Sequence, residues 1–346
     1  MRGSGVGTAL VTGGCGFIGR HLTILLAQRG YQVRVLDLQD WPNAPAGVEI
    51  RKGSILDRAT MASAVEGVQL VFHLAANPNL WAPDPRTFHQ VNYEGTCRVL
   101  EAAANARVER IVYTSTESIL KNIHARNGEA AALIDESVEL AIDDVWGAYC
   151  RSKYLAECEA RRAAKTGLPV VIVNPTMPVG PGDGLITPPT KMLIGFLNGA
   201  MPAYLDCEFN LVDARDAANG HLLAAERGRI GERYILGGEN LALGHVLDLL
   251  REMTGLPIAR IRVPYAMAYV AGWISEGLSH LTKRPPIAPL TGVVLARSSM
   301  AFDSRKARRE LGWHTRPLRQ SLLDTVLDLQ SRGLLRRDLR PQLASS

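Results

Sequence analysis

No stretch of this sequence reaches the roughly 18–20 consecutive apolar residues that a membrane-spanning helix needs. The longest apolar candidate, Val263–Ile274, is too short for a span and reads as a helix in a core. Cysteine is scarce: Cys15, Cys97, Cys150, Cys158 and Cys207 make an odd count of 5, with no CxxC or Cys/His spacing. That argues against a disulfide framework and a metal site, and for a reducing compartment. Basic residues are not interleaved with aromatics on any one element, so the pattern of a nucleic-acid binder is missing. Internal repeats and low-complexity segments are missing too. The net charge is only +5, from 39 basic and 34 acidic residues. The clusters Arg305-Lys306-Arg308-Arg309 and Arg336-Arg337-Arg340 read as a solvated helix face and a tail, with attraction to an acidic membrane surface the lesser reading. The N-terminus passes directly into a strand, so no signal peptide and a cytoplasmic location are expected.

What is present is an ordinary soluble composition, 47% hydrophobic and 21% charged over 346 residues, enough for one large domain or two. The first half alternates strands and helices, the sign of a doubly wound parallel α/β sheet. Expected strands are Val6–Val11, Tyr31–Leu36, Val48–Gly53, Leu70–Leu74, Arg110–Ser115 and Val170–Val173. Between them the spacing predicts helices over Phe17–Arg29, from the cap Asp57 to Glu66, Pro85–Asn105 and Tyr149–Thr166. Pro175–Pro189, rich in proline and glycine, suits an irregular linker or lid. Asn210–Val212 and Tyr234–Leu236 look like short strands returning to the sheet, and the chain is mostly helical from Leu243. The expected division is a dinucleotide-binding portion, 1–174 with 209–238 returning to it, a smaller substrate-binding portion, 175–208 and 239–333, and a tail, 334–346.

Two signatures carry chemistry. Gly13, Gly16 and Gly19 lie directly after an apolar strand and open a helix. Glycine allows the tight turn and lets phosphates reach main-chain N–H groups, and the helix N-terminus adds partial positive charge. Asp37 ends the second strand, where a carboxylate accepts from the adenosine ribose hydroxyls and repels a 2′-phosphate, so NAD is expected over NADP. Small residues in Leu74-Ala75-Ala76 let the backbone pass beneath the cofactor, and the preceding His73 reads as structural rather than as a base.

The second signature is Tyr149 with Lys153, four apart and so neighbours on a helix. Free tyrosine, with a pKa near about 10, is a poor base at neutral pH. A nearby ammonium and the positive nicotinamide both favour the phenolate, so a lowered pKa is expected. Lys153 can also hold the nicotinamide ribose, and Thr116 or Ser115 at the end of the fifth strand would polarise the substrate oxygen. An exposed helix pair is the bland alternative.

Together these pieces resemble an extended short-chain dehydrogenase/reductase of the NAD-dependent epimerase/dehydratase superfamily, with a Rossmann-type sheet and a mainly helical C-terminal portion. The resemblance runs from Thr8 to about Gly333 and includes His73-Leu74-Ala75-Ala76, Val91-Asn92-Tyr93-Glu94-Gly95-Thr96, Gly180-Pro181 and Glu310-Leu311-Gly312-Trp313. Leu80-Trp81-Ala82-Pro83-Asp84-Pro85 and Met201-Pro202-Ala203-Tyr204 look similar to hopanoid-associated sugar epimerases, a branch close to dihydroflavonol-4-reductase-like enzymes. The resemblance implies Thr116, Tyr149 and Lys153 as the catalytic triad, and no metal. The candidate cofactor contacts are Gly13, Gly16, Phe17, Ile18, Asp37, Ile55, Leu74, Ala75, Ala76, Ser115, Tyr149, Lys153 and Pro175. It also implies a two-fold dimer through Pro85–Asn105 and Tyr149–Thr166.

Departures from the family pattern bear on substrate. Where nucleotide-sugar epimerases carry a diphosphate-binding asparagine and arginine, this chain has Met177 and Phe209. Sugar dehydratases need an adjacent Asp-Glu pair, and here Glu117 is followed by Ser118. The usual adenine-side aspartate is replaced by Ser54. The expectation is an NAD-dependent oxidoreductase acting on a bulky, partly apolar or lipid-linked alcohol or ketone, its wall formed by Trp81, Pro83, Met177, Tyr204 and Phe209. An epimerase using the same triad is the alternative, with Arg297 or Lys191 replacing the lost anchors. A non-catalytic dinucleotide sensor is disfavoured by the presence of both Tyr149 and Lys153.

Overall fold

The computed structural model describes residues 7–121, 133–286, 289–297 and 301–337. Val6 and the tail from 338 onward, Arg340 included, lie outside the described residues. The first half builds β1 (Thr8–Thr12), α1 (Phe17–Gln28), β2 (Gln32–Asp37), β3 (Glu49–Lys52), α2 (Arg58–Val65) and β4 (Leu70–His73). Then come α3 (Arg86–Phe88), α4 (Gly95–Ala106), β5 (Arg110–Thr114), α5 (Gly147–Lys165) and β6 (Val170–Pro175). The central strands are short apolar runs buried on both faces, β6 along its whole length, as parallel strands covered by helices must be, while the edge strand β3 is polar and partly exposed. Asp57 starts α2 by accepting a hydrogen bond from the Ala59 N–H, 3.0 Å.

The second half supplies β7 (Met177–Val179), α6 (Pro188–Leu197), β8 (Ala203–Leu205), β9 (Glu208–Asp213), α7 (Ala214–Arg227), β10 (Arg233–Leu236) and β11 (Glu239–Ala242). It ends with α8 (Leu243–Thr254), β12 (Ile261–Val263), α9 (Tyr265–Thr282), α10 (Leu290–Leu295), α11 (Arg305–Leu311) and α12 (Leu318–Ser331). The main sheet has seven parallel strands in the order β10-β6-β5-β4-β1-β2-β3. Strand order reverses between β1 and β4, and a ligand crevice opens beyond the strand ends at such a switch point.

Three expectations need correction. β10 joins the main sheet beside β6, but β9, which holds Asn210–Val212, pairs instead with β7 and β11 in a small separate sheet. The helix expected over Pro85–Asn105 is interrupted: residues His89–Glu94 form a wider π turn between α3 and α4. In Val263–Ile274 the helix begins only at Tyr265, Val263 ending β12, and the large apolar side chains of that helix face solvent rather than a core. A C-terminal apolar cluster joins Val179, Leu193, Phe196, Leu247, Leu250, Leu322 and Val326. Most of the basic cluster on α11 is ion-paired, with Arg305 to Asp303, Lys306 to Glu232 and Arg309 to Glu310. All five cysteines are free.

Candidate active site

The glycine turn sits at the switch point because a side chain would not fit there. Gly13 has φ +74°, and a Cβ on it would lie 2.6 Å from the Ala75 backbone N. At Gly19 a Cβ would lie 2.2 Å from the Gly13 carbonyl O. Leu74, Ala75 and Ala76 therefore run directly against the turn. Gly16 precedes α1 without a capping side chain, and the first turn carries no acidic residue, so the helix N-terminus is left open to an anion. Phe17 is buried at its start while Ile18 is part-exposed. Asp37 reaches back to the turn: its carboxylate accepts from the Cys15 and Gln39 N–H groups, each at 2.9 Å. Ile55 is buried against Gly95, and Pro175 is buried at the end of β6. The turn, the open helix end and Asp37 fit a dinucleotide's pyrophosphate and ribose.

Arg20 was not anticipated. Its Nε donates to the Cys15 carbonyl at 3.0 Å and its guanidinium stacks over Trp41 at 4.9 Å, leaving a cation at the rim of the turn. Its position immediately after Gly19 was the available signal.

His73 is structural. Thr96 Oγ1 donates to the Asn92 carbonyl (2.6 Å), so it accepts from His73 Nε2–H at 3.0 Å. That leaves His73 Nδ1 to accept from Thr12 Oγ1 at 2.7 Å, while Thr12 Oγ1 accepts from the Ala75 N–H at 3.4 Å. The chain continues from Asn92, whose Nδ2 donates to Ser152 Oγ at 3.0 Å, and Ser152 Oγ donates to the Tyr149 carbonyl at 2.7 Å. Asn92 also accepts from the Asn77 N–H at 2.7 Å, so it joins the loop after β4 to α5. Only its burial within a helix marks it, and burial is not legible from one sequence.

Tyr149, Lys153 and Glu157 lie at successive turns of α5. Lys153 is buried, donating to the Thr114 carbonyl at 2.6 Å and lying 4.8 Å above the Tyr113 ring. Burial pushes its ammonium down to about 7, against the opposing attraction of Glu157. The Tyr149 ring meets Phe88 edge-on at 6.2 Å. Its phenol is raised above the ordinary range, chiefly by burial and then by the Glu117 carboxylate, with the Thr116 hydroxyl opposing. The lowered pKa expected for Tyr149 is thus corrected: desolvation and the Glu117 carboxylate raise it instead.

Thr116 is placed beside this pair by Asn174, whose Nδ2 donates to the Thr116 carbonyl (3.1 Å) and to Glu157 (2.9 Å). Its hydroxyl donates to Glu117 Oε2 at 2.8 Å. Glu117 is buried and its carboxyl is raised by desolvation. Ser115 is buried, its N–H bonded to the Val173 carbonyl at 2.8 Å.

Met177 and Phe209 are half-buried against the apolar cluster that Tyr149 also touches, with Ile119, Val145, Ile235 and Leu295. Tyr204 is not part of that wall. It is buried in the C-terminal core, its hydroxyl accepting from Arg262 Nε at 3.0 Å. Trp81 is part-buried and Pro83 exposed. Lys191 and Arg297 are exposed, with Arg297 stacked 5.7 Å from Tyr265.

Two outcomes are expected. His73 is held neutral, lowered to about 3 by burial and then by the Lys153 charge. An unfolded histidine takes a proton near about 6.5, so below that pH the unfolded state gains a proton that the folded state refuses. Stability should therefore fall as pH drops from about 6.5 toward 3, and His221, lowered to about 4 by burial, adds to the loss. Urea midpoints across this range should decline, more gently in His73→Gln; a flat wild-type profile would contradict the assignment. Second, Asp37 should make NAD bind at least about ten-fold more tightly than NADP, about 1.4 kcal/mol. Equal affinities by calorimetry would remove that role.

A family profile described as "NAD dependent epimerase/dehydratase family" matches residues 9–237. The chain is 37% identical to a putative dihydroflavonol 4-reductase of Synechocystis, over 94% of this chain and 95% of that protein. It is 30% identical to sterol demethylase protein B of Methylococcus capsulatus, over 95% and 100%. Among solved structures, gox2253 matches with a TM-score of 0.80 at 34% identity, covering 95% of this chain and 99% of that one. The UDP-glucose 4-epimerase of Thermotoga maritima matches in fold, with a TM-score of 0.75 at 23% identity over 94% and 99%. With its parallel sheet and glycine turn at the switch point, the chain belongs to the NAD-dependent epimerase/dehydratase family and is an enzyme of the extended short-chain dehydrogenase/reductase type.

Proposed function

We propose that this protein is an NAD-dependent oxidoreductase acting at a secondary alcohol or ketone of a bulky, partly apolar substrate, with Thr116, Tyr149 and Lys153 as its catalytic residues. The observation that carries this reading is the shared apolar cluster of Tyr149, Met177 and Phe209. A sugar diphosphate needs charge-assisted donors at its anchors, and the side chains at these two positions have none to offer. An apolar ring or chain bearing the reacting oxygen suits them better.

The bound nicotinamide supplies or accepts the hydride. Tyr149, held as a phenol, gives its proton to the substrate oxygen in the reducing direction and takes it back in the other. Thr116 holds the same oxygen. Its hydroxyl proton is directed to Glu117, so it meets substrate either by turning that proton or by accepting one from a protonated Glu117. Lys153 holds the ribose hydroxyls, and a positive charge near Tyr149 eases proton return. Gly13, Gly16, Phe17, Ile18, Ile55, Leu74, Ala75, Ala76, Ser115 and Pro175 complete the proposed cofactor contacts, and 175–208 with 239–333 the substrate side. The free cysteines favour a reducing, cytoplasmic setting. A two-fold dimer through α4 and α5 is also proposed. Leu100, Ala156 and Ala163 are used in the subunit's own core, which leaves the part-exposed Val91 and Leu155 and the exposed Ala104 for a partner.

Tyr149→Phe should lower turnover of a hydrophobic ketone with NADH by roughly 10²-fold or more while NAD still binds. Wild-type turnover in the variant would remove the proton relay. An epimerase would show no net NADH consumption. UDP-glucose and UDP-galactose should bind with dissociation constants near or above about 1 mM, about −4 kcal/mol or weaker. Micromolar binding lost on mutating Arg297 or Lys191 would promote the epimerase reading.

A further inference from the structure

The apolar helix α9 is built inside out. A helix resting on a core normally turns its large apolar side chains inward. Here the covered side carries mainly small or polar residues: Ala268, Gly272, Ser275, Glu276 and Ser279. Glu276 is spent internally, accepting from the Leu290 N–H at 2.9 Å. The opposite side carries Met267, Val270, Ile274, Leu278 and Leu281, exposed by 62, 54, 50, 56 and 82%. At about 100° per residue these five fall within an arc of about 80°. Trp273 flanks them, 66% exposed. No Asp, Glu, Lys or Arg lies on this face.

Cations stand at both ends. Arg260 precedes the helix and Lys283 and Arg284 follow it, all exposed and without an ion-pair partner among the described residues. A second copy of the chain is a poor occupant. Antiparallel pairing of α9 would set Arg260 beside Lys283 and Arg284, and parallel pairing would set like ends together. A negatively charged surface answers all three cations at once.

We propose that α9 is an interfacial helix that docks this protein on an anionic lipid bilayer. The stripe enters the acyl boundary, Trp273 and Tyr269 sit at headgroup level, and Arg260, Lys283 and Arg284 meet anionic headgroups. The 18-residue helix lies in the interface rather than across it, and no helix among the described residues is long and apolar enough to cross a membrane. α9 packs on α10, whose Thr291 fills the space over Gly147 and whose Leu295 belongs to the cluster that Tyr149 touches. The docking face is thus one helix behind the site's apolar wall. The docking stands on α9 alone and does not depend on the proposed reaction.

The test needs no turnover. Full-length protein is sedimented with phosphatidylcholine–phosphatidylglycerol vesicles and with pure phosphatidylcholine vesicles. Binding should be roughly ten-fold or more stronger on the anionic vesicles and should weaken with salt. Trp273→Glu/Leu278→Glu should leave the protein in the supernatant, with its melting temperature and NAD affinity unchanged. Lys283→Glu/Arg284→Glu should remove the preference for anionic lipid. A wild type that stays in the supernatant, that binds both vesicles equally, or whose double variant still sediments overturns the proposal. A two-subunit mass by light scattering that falls to one in Leu278→Glu also overturns it, assigning the face to contact between copies.

Discussion

The buried hydrogen-bond chain through His73 is the constraint on which the candidate site depends. It begins at the Ala75 N–H beside the glycine turn and passes Thr12, His73, Thr96, Asn92 and Ser152 to the Tyr149 carbonyl. The links Ala75–Thr12, Thr12–His73, His73–Thr96 and Asn92–Ser152 cross between elements distant in sequence, while Thr96–Asn92 and Ser152–Tyr149 are local turns of a helix. The sheet ladder already fixes β1 against β4, but α4 and α5 would otherwise rest on the sheet mainly through apolar packing, which fixes distance but not direction. Every polar atom in the chain is satisfied inside the protein, so breaking any one leaves a buried group unpaired at a cost of about 1–3 kcal/mol.

Around this chain, burial decides the electrostatics. Burial draws the Lys153 ammonium down to about 7 and pushes the Tyr149 phenol up, so Tyr149 is held as a neutral phenol. A cationic ligand beside them reverses part of the tyrosine shift by stabilising the phenolate. The polarity of the site is therefore set jointly by protein and ligand.

Local features were legible in the sequence because local chemistry causes them. The glycine turn needs residues without Cβ, the parallel strands need continuous apolar runs, and Asp57 announces its helix by its own side chain. Features requiring a distant partner were hidden. Nothing near Asn92 reveals that Ser152 will face it, or that a π turn will place it there. Asn210–Val212 reads equally well as a strand of either sheet, and only its pairing with β7 and β11 decides. The Tyr149 shift was misjudged because spacing reveals the neighbouring lysine but not the depth of burial. Val263–Ile274 was misjudged because hydrophobicity does not say which side of a helix the protein covers.

Gly147 starts the helix that carries Tyr149, with φ +84°, and a Cβ on it would lie 2.8 Å from the Thr291 hydroxyl of α10. Any residue larger than glycine at this position would have to displace Thr291, so the start of α5 and the seat of α10, on which α9 packs, are set together.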